Sequence, residues 1–385
     1  MRSPVLAVLP LLAAACGSAP VSPVPVEPAV AEVVRVPFEV DADGWRTAAE
    51  LVHPAANGPH GKGPFPVVLL LCGNGPHDMD VTLPGPGGTV KLFAQVSDTL
   101  AARGFAVVRY HKRFVRGPGK VDPRFWREQS TIRFTADADR VLQAALRMAP
   151  CDGQRLFLYG WSEGTAVAAQ LAVERGDVDG LVLHGAVGLP WRDMVRFWIE
   201  GVGLPLAQGA DGGAVTTEEL TAALRGKAGM VAKLGASFLA DPMQPGVPLR
   251  PSRLLDGDAD GVLDVDREVL PHLDAMLDFA FSPQGNVYVY APGRTVPTVS
   301  EQATKLPMPV LILQGEHDAS TPVASGRALA AALRAAGNGD VTLWELAGLG
   351  HTLGPAASLV DDCGRAPAAA TLLPIAGWLA AHAAR

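Results

Sequence analysis

Leu156-Phe157-Leu158-Tyr159-Gly160-Trp161-Ser162-Glu163-Gly164-Thr165-Ala166 is the stretch that decides the fold of this 385-residue chain. Four residues of strand character run into Gly-Trp-Ser-Glu-Gly, and a small-residue helix follows at once, from Thr165 to Val173. Both glycines have a physical task. A serine at the apex of so tight a turn sits in strained backbone, and a side chain two positions to either side would strike the adjoining strand or helix. The turn lifts the serine Oγ clear of a sheet, and the new helix presents the Glu163 N–H to developing negative charge.

Working outward, strands and helices alternate around this turn. Val67 to Cys72 is a continuous apolar run, as expected of a strand buried on both faces. Phe93 to Arg103 has helical spacing and is closed by Gly104; Phe105 to Tyr110 is a second buried strand; Thr131 to Met148 is a helix; Leu181 to His184 is the strand after the serine helix. Upstream, two strand-like runs flank Asp41-Ala42-Asp43-Gly44, a hairpin signal. The pattern stops near Pro190. Residues 191–305 read as helical patches broken by glycine and proline, with one short strand-like run at Asn286 to Tyr290. Alternation returns with a strand at Val310 to Leu313, a helix at Ala324 to Ala336, a strand at Val341 to Leu346 and a closing helix at Thr371 to Ala384. The expected fold class is α/β, a mostly parallel doubly wound sheet with an inserted, mainly helical cap. The expected divisions are a signal segment at 1–16, a proline-rich tether at 17–35, core at 36–190, cap at 191–305 and core again at 306–385.

Composition narrows the function. Hydrophobic residues make up 48% and charged residues 18%, so a large core is available. The formal net charge of −7, with only two short basic clusters, argues against a nucleic-acid partner. A small molecule or acyl ester is the expected ligand.

A serine hydroxyl is a poor nucleophile at neutral pH. It needs a base within hydrogen-bond reach, and the base needs a carboxylate to hold its tautomer. Downstream loops supply both. Asp318 stands in Leu313-Gln314-Gly315-Glu316-His317-Asp318, just past a buried strand, with Glu316 as its competitor. His351, in Leu346-Ala347-Gly348-Leu349-Gly350-His351-Thr352, is the one of nine histidines in a glycine-flanked loop after the last strand. His111, His184 and His317 read as structural or supporting. An oxyanion needs two N–H donors. We assign them to Asn74, in the glycine-rich loop Cys72-Gly73-Asn74-Gly75-Pro76-His77-Asp78-Met79-Asp80, and to Glu163.

With these residues assembled, the chain resembles the bacterial α/β-hydrolase group of esterases and serine-aminopeptidase-like proteins. The likeness rests on Gly73 to Asp80, Leu100 to Tyr110 and Gly160 to Gly164, and covers about residues 36–190 and 306–384. It implies a serine–acid–histidine order, here Ser162, Asp318 and His351, and an acyl-enzyme. Two departures stand out: His111 and Phe114 occupy positions where the family has an aspartate and a glycine, and Met79 replaces an arginine.

A second informative stretch lies in the cap. Asp256-Gly257-Asp258-Ala259-Asp260-Gly261-Val262-Leu263-Asp264-Val265-Asp266-Arg267-Glu268 spaces oxygens at alternate positions, with a glycine at the sixth and an aliphatic at the eighth. This is the pattern of an EF-hand calcium loop, with Asp256, Asp258, Asp260, the Val262 carbonyl and Asp264 as ligands. Its twelfth position holds Arg267 instead of glutamate, leaving Asp266 or Glu268 as substitutes. A structural Ca²⁺ is thus a candidate, while catalysis needs no cofactor.

At the N-terminus, Met1-Arg2, an apolar run from Val5 to Ala15 and Ala13-Ala14-Ala15-Cys16 describe an export signal. Small residues before a cysteine resemble a bacterial lipoprotein signal, in which Cys16 carries the lipid, although Ala13 stands where leucine is commoner. The run is too short to span a bilayer, so the expected membrane link is a lipid anchor in the cell envelope, with plain secretion as the alternative. Cys72, Cys151 and Cys363 are an odd set and read as free thiols. The expected activity is hydrolysis of a carboxylic ester or related acyl bond. A peptidase, an acyltransferase or a non-catalytic ligand-binding lipoprotein on the same scaffold are the alternatives.

Overall fold

A computed structural model of the chain describes residues 32–208, 212–241 and 248–384. The segment containing Cys16 and the expected export signal lies outside these residues. Eight strands form one sheet: β1 (Val33–Asp41), β2 (Arg46–Pro54), β3 (Phe65–Leu71), β4 (Ala106–Tyr110), β5 (Cys151–Trp161), β6 (Gly180–His184), β7 (Val310–Gly315) and β8 (Val341–Leu346). Their order in space is β1-β2-β4-β3-β5-β6-β7-β8. From β4 to β8 every pairing is parallel, while β2 runs antiparallel to both β1 and β4. The expected hairpin at Asp41 to Gly44 joins β1 to β2, with Asp43 and Gly44 both at positive φ.

The apolar runs are buried on both faces because helices cover both faces. Successive residues of a strand point to opposite sides. Val67, Leu69 and Leu71 of β3 enter one core with helices α2 (Thr131–Leu146), α3 (Glu163–Arg175) and α4 (Val323–Ala335). Val68, Leu70 and Cys72 enter the other, with α1 (Leu92–Ala101) and α5 (Ala369–Ala383).

The turn from β5 into α3 is the tightest packing in the sheet. A Cβ on Gly160 would fall 2.4 Å from the Gly164 carbonyl oxygen, and one on Gly164 would fall 2.1 Å from the Leu71 carbonyl oxygen. Neither position accommodates any residue but glycine. Ser162, between them, is held at φ +57° and ψ −127°, a conformation that an L-residue adopts only under constraint.

Between β6 and β7 the chain builds a mainly helical layer with its own core, including Trp191, Val195, Trp198, Ile199, Leu220, Leu273 and Leu277. Ala166 of α3 and Val187, just past β6, belong to the same cluster, so this layer packs over the carboxyl ends of the strands. Trp198 also donates its indole N–H to the Ser320 carbonyl at 2.8 Å, beside the loop after β7.

Two local expectations are corrected. Asn286 to Tyr290 contains no strand; Tyr288–Tyr290 is a short 3₁₀ turn. Pro283, Gly285, Pro292 and Gly293 bracket it too closely for a strand to extend, and Tyr290 instead stacks on Trp191 with ring centroids 3.8 Å apart. The residues Val33 to Arg35, assigned to the tether, belong to β1 and pair with Pro54, His53 and Val52. Arg35 is held there by Glu50 at 3.3 Å and Asp98 at 2.6 Å. Among the described residues no helix is long and apolar enough to cross a membrane.

Candidate active site

Three loops meet at the carboxyl edge of the sheet. The first is the turn carrying Ser162, whose N–H donates to the His184 carbonyl at 2.8 Å. The second, after β7, carries Asp318. The third, after β8, carries His351. Asp318 is 1% exposed and is surrounded by donors. Its Oδ1 accepts from the N–H groups of Ser320 (2.9 Å) and Thr321 (2.7 Å); its Oδ2 accepts from the Thr321 hydroxyl (2.7 Å), from Gln314 (3.1 Å) and from His351 Nδ1 (2.8 Å). That array fixes which ring nitrogen of His351 faces the acid and leaves Nε2 for the other side. Glu316, the competing acid, points elsewhere and accepts the Gly348 N–H at 2.8 Å.

His351 is tied to the serine turn through its backbone. Its carbonyl accepts from Trp161 Nε1 at 3.0 Å and lies 2.9 Å from His184 Nε2, and its ring sits 5.1 Å from the Trp161 indole. Trp161 directly precedes Ser162, so the histidine loop is anchored one residue from the hydroxyl. His184, expected as a structural residue, is one. It bridges Tyr159 Oη (2.8 Å) and the His351 carbonyl, and burial together with the nearby His351 pushes its pKa down to about 3.

The electrostatics of the pair follow from its surroundings. Burial works against the imidazolium of His351, but the Asp318 carboxylate, by charge and hydrogen bond, and Asp362 outweigh it and raise its pKa above the ordinary value. Burial likewise works against the Asp318 carboxylate; the His351 charge and the Thr321 donors prevail and lower its pKa.

Asp362 escaped the reading of the sequence. Its Oδ2 accepts the N–H groups of both Ala319 and His351, at 3.0 Å each, and so clips the acid loop to the base loop. Burial and the neighbouring Asp318 raise its pKa. Nothing in Asp361-Asp362-Cys363-Gly364 distinguishes it as a sequence from a solvated acidic turn.

The two residues assigned to the oxyanion, Asn74 and Glu163, come from the loop after β3 and the start of α3. Gly73 brings the loop after β3 so close to the turn that a Cβ there would lie 2.8 Å from Ser162 Cβ. Asn74 is exposed, whereas Glu163 opens α3 with its side chain 1% exposed. That carboxylate meets Lys112, also buried, at 2.8 Å. Lys112 stands between His111 and Arg113 in a short basic cluster of the sequence, yet it turns inward. The hydroxyl of Tyr290, from the cap, faces both Glu163 and Asn74. The two departures from the family pattern prove to touch, since the Met79 N–H donates to His111 Nδ1 at 2.9 Å. One unusual residue holds the other's loop.

In the cap loop, carboxylate oxygens of Asp256, Asp258 and Asp260 lie within 4.8 Å of one another. Asp264 is not in this group; its Oδ1 accepts the Arg267 N–H at 2.9 Å. Val262 pairs with Thr216, and its N–H donates to Asp260 Oδ1 at 2.7 Å. Glu268 folds back into the loop, accepting the N–H groups of Gly257 and Asp264 at 2.8 Å each. Of the two residues considered as substitutes for the twelfth position, it is Glu268 that bonds within the loop. Cys72, Cys151 and Cys363 are free, and burial pushes the Cys72 thiol up to about 11.

Known proteins similar to this chain are described as hydrolases. Residues 76–233 match a family model described as serine aminopeptidase, S33, and residues 288–364 match one described as TAP-like protein. The esterase EstD of Thermotoga maritima is 35% identical over 140 residues, which is 36% of this chain and 31% of that protein's length. The solved structure of a proline iminopeptidase from Mycobacterium smegmatis superposes with a TM-score of 0.52 at 15% identity, covering 91% of this chain and 99% of the other. Est1E from Butyrivibrio proteoclasticus, bound to ferulic acid, gives 0.50 at 15% identity, over 90% and 100%. Strand order, the strained serine turn and the likeness to these solved structures give the chain the α/β-hydrolase fold.

Proposed function

We propose that the protein is a serine hydrolase that cleaves a carboxylic ester through Ser162, His351 and Asp318. The observation that carries this reading is the 2.8 Å contact of His351 Nδ1 with the buried Asp318, on a loop whose backbone is bonded to Trp161 beside the strained Ser162. In the proposed sequence His351 Nε2 accepts the Ser162 hydroxyl proton as Oγ attacks the acyl carbon. The N–H groups of Asn74 and Glu163 receive the oxyanion. The tetrahedral adduct collapses, the leaving alkoxide takes the proton back from His351, and water repeats the steps on the acyl-enzyme. An ester is preferred to an amide because the 35% identical relative is an esterase, although a peptidase model matches residues 76–233.

We also propose that Asp256, Asp258 and Asp260, with Glu268 as a further carboxylate, hold a structural Ca²⁺. Three carboxylates so close repel one another unless a cation intervenes. Export with a lipid on Cys16 completes the reading; it rests on the signal-like sequence alone.

Ser162→Ala is expected to lower kcat for p-nitrophenyl esters roughly 10⁶-fold and to abolish labelling by a fluorophosphonate; a mutant that labels like wild type refutes the nucleophile. The His351 ring, followed by NMR, should titrate above the usual histidine value of about 6.5, and kcat/KM should climb with pH through that same inflection, since only neutral imidazole accepts a proton. In Asp318→Asn the opposing charge is gone and burial prevails, so the inflection should drop below the usual value. An unchanged titration would exclude the pairing. Thermal unfolding with free Ca²⁺ at 100 times its Kd should report about 2.7 kcal/mol of added stability over EDTA, erased by Asp258→Asn with Asp260→Asn; identical curves in Ca²⁺ and EDTA count against the metal. In a bacterial host the full chain should partition into detergent and Cys16→Ser should not, and equal partitioning removes the anchor.

A further inference from the structure

One buried cation grips both of the peptide segments assigned to the oxyanion. Lys112 follows β4 and is 3% exposed. Its ammonium donates to the Gly73 carbonyl at 2.7 Å and to Glu163 Oε1 at 2.8 Å, and it lies 4.1 Å from the centre of the Phe134 ring. The Gly73 carbonyl and the Asn74 N–H belong to one planar, trans peptide group, so they point in opposite directions. Holding the carbonyl from behind therefore sets where the Asn74 N–H points. A cation on the carbonyl oxygen also polarises the peptide and strengthens its N–H as a donor. The second partner, Glu163, is the residue whose own N–H opens α3.

Charge adds a further constraint. Glu163 brings a carboxylate to the residue next to the nucleophile, where negative charge develops during acyl transfer. Left alone, that carboxylate would oppose the oxyanion, and in a buried site the opposition is poorly screened. The Lys112 ammonium offsets it. Two aromatic rings flank the ion pair: Phe134 beside the lysine, and Tyr290 from the cap facing Glu163 and Asn74.

We propose that Lys112 is a positioning residue for the oxyanion site: through the Gly73 carbonyl it orients and polarises the Asn74 N–H, and through Glu163 it cancels a charge that would repel the transition state. This rests on the serine hydrolase reading. The rival is a purely structural ion pair, since removing one member of a buried pair destabilises a fold strongly.

The test uses the full chain with Lys112→Met and Glu163→Gln combined, so that no lone charge is left buried. Wild type is first labelled with a fluorophosphonate and assayed on p-nitrophenyl acetate; if both fail, the hydrolase reading falls and this inference with it. Given an active wild type, the double variant should unfold cooperatively near the wild-type temperature. Its kcat should fall about 10- to 100-fold with KM within about twofold, somewhat less than loss of a whole oxyanion donor. Affinity for a trifluoromethyl ketone, which forms the oxyanion with the serine, should fall in proportion to kcat, while affinity for the matching unreactive ether should not. A folded double variant with kcat within about twofold of wild type, or a loss confined to KM, overturns the proposal while leaving the hydrolase reading intact. If the double variant does not fold, Lys112→Arg decides. It keeps the cation but alters its donor geometry, and should lower kcat and ketone affinity together; wild-type values for both overturn the proposal.

Discussion

Between Gly164 and the carbonyl oxygen of Leu71 there is no room for a methyl group. This closeness of α3 to the end of β3 governs the rest of the site. It forces glycine at both ends of the turn, drives Ser162 into a left-handed conformation and brings the start of α3 beside the loop after β3. The strain at Ser162 is sustained because the sheet over-determines the turn: its N–H is bonded to β6, and β5 is paired on both sides. A serine in relaxed backbone at the same point would lie down on the sheet.

Around this rigid centre the site is built from buried charges that satisfy one another. Asp318 and His351 form one set, Lys112 and Glu163 another, and Asp362 joins the acid and base loops through main-chain N–H groups. Each charge in isolation would be costly to bury. Together with the N–H donors they are compensated, and the compensation carries information: it sets which nitrogen of His351 faces the acid, and it anchors loops that contribute no regular secondary structure. The His111 contact to the Met79 N–H serves the same end on the loop after β3.

Much of this was legible along the chain. The strand runs were readable because burial on both faces leaves uninterrupted Val, Leu and Ile, and the serine turn because its glycines are compulsory. Ser162, Asp318 and His351 stand out in the sequence because each follows a strand at the sheet's carboxyl edge. The acidic loop was visible by spacing, but Asp264 stands outside the cluster, since the chain turned into a helix there and Asp264 capped it. Tyr290 misled: its β-prone neighbours suggested a strand, whereas stacking on Trp191 and close prolines made it a turn facing Glu163.

The sequence by itself determined the α/β alternation, the glycine-bounded turn at Ser162 and the placing of Asp318 and His351 in loops after strands. These depend on local periodicity and on residues within a few positions of one another. Only the tertiary structure decided that Lys112 turns inward, that Asp362 clips two loops, and that the cap's Tyr290 reaches the start of α3. Those contacts join residues from 11 to more than a hundred positions apart, at least one of them ionisable or aromatic and equally at home on a surface. Whether such a side chain faces solvent or closes a site depends on what the rest of the chain brings against it, and no local pattern records that.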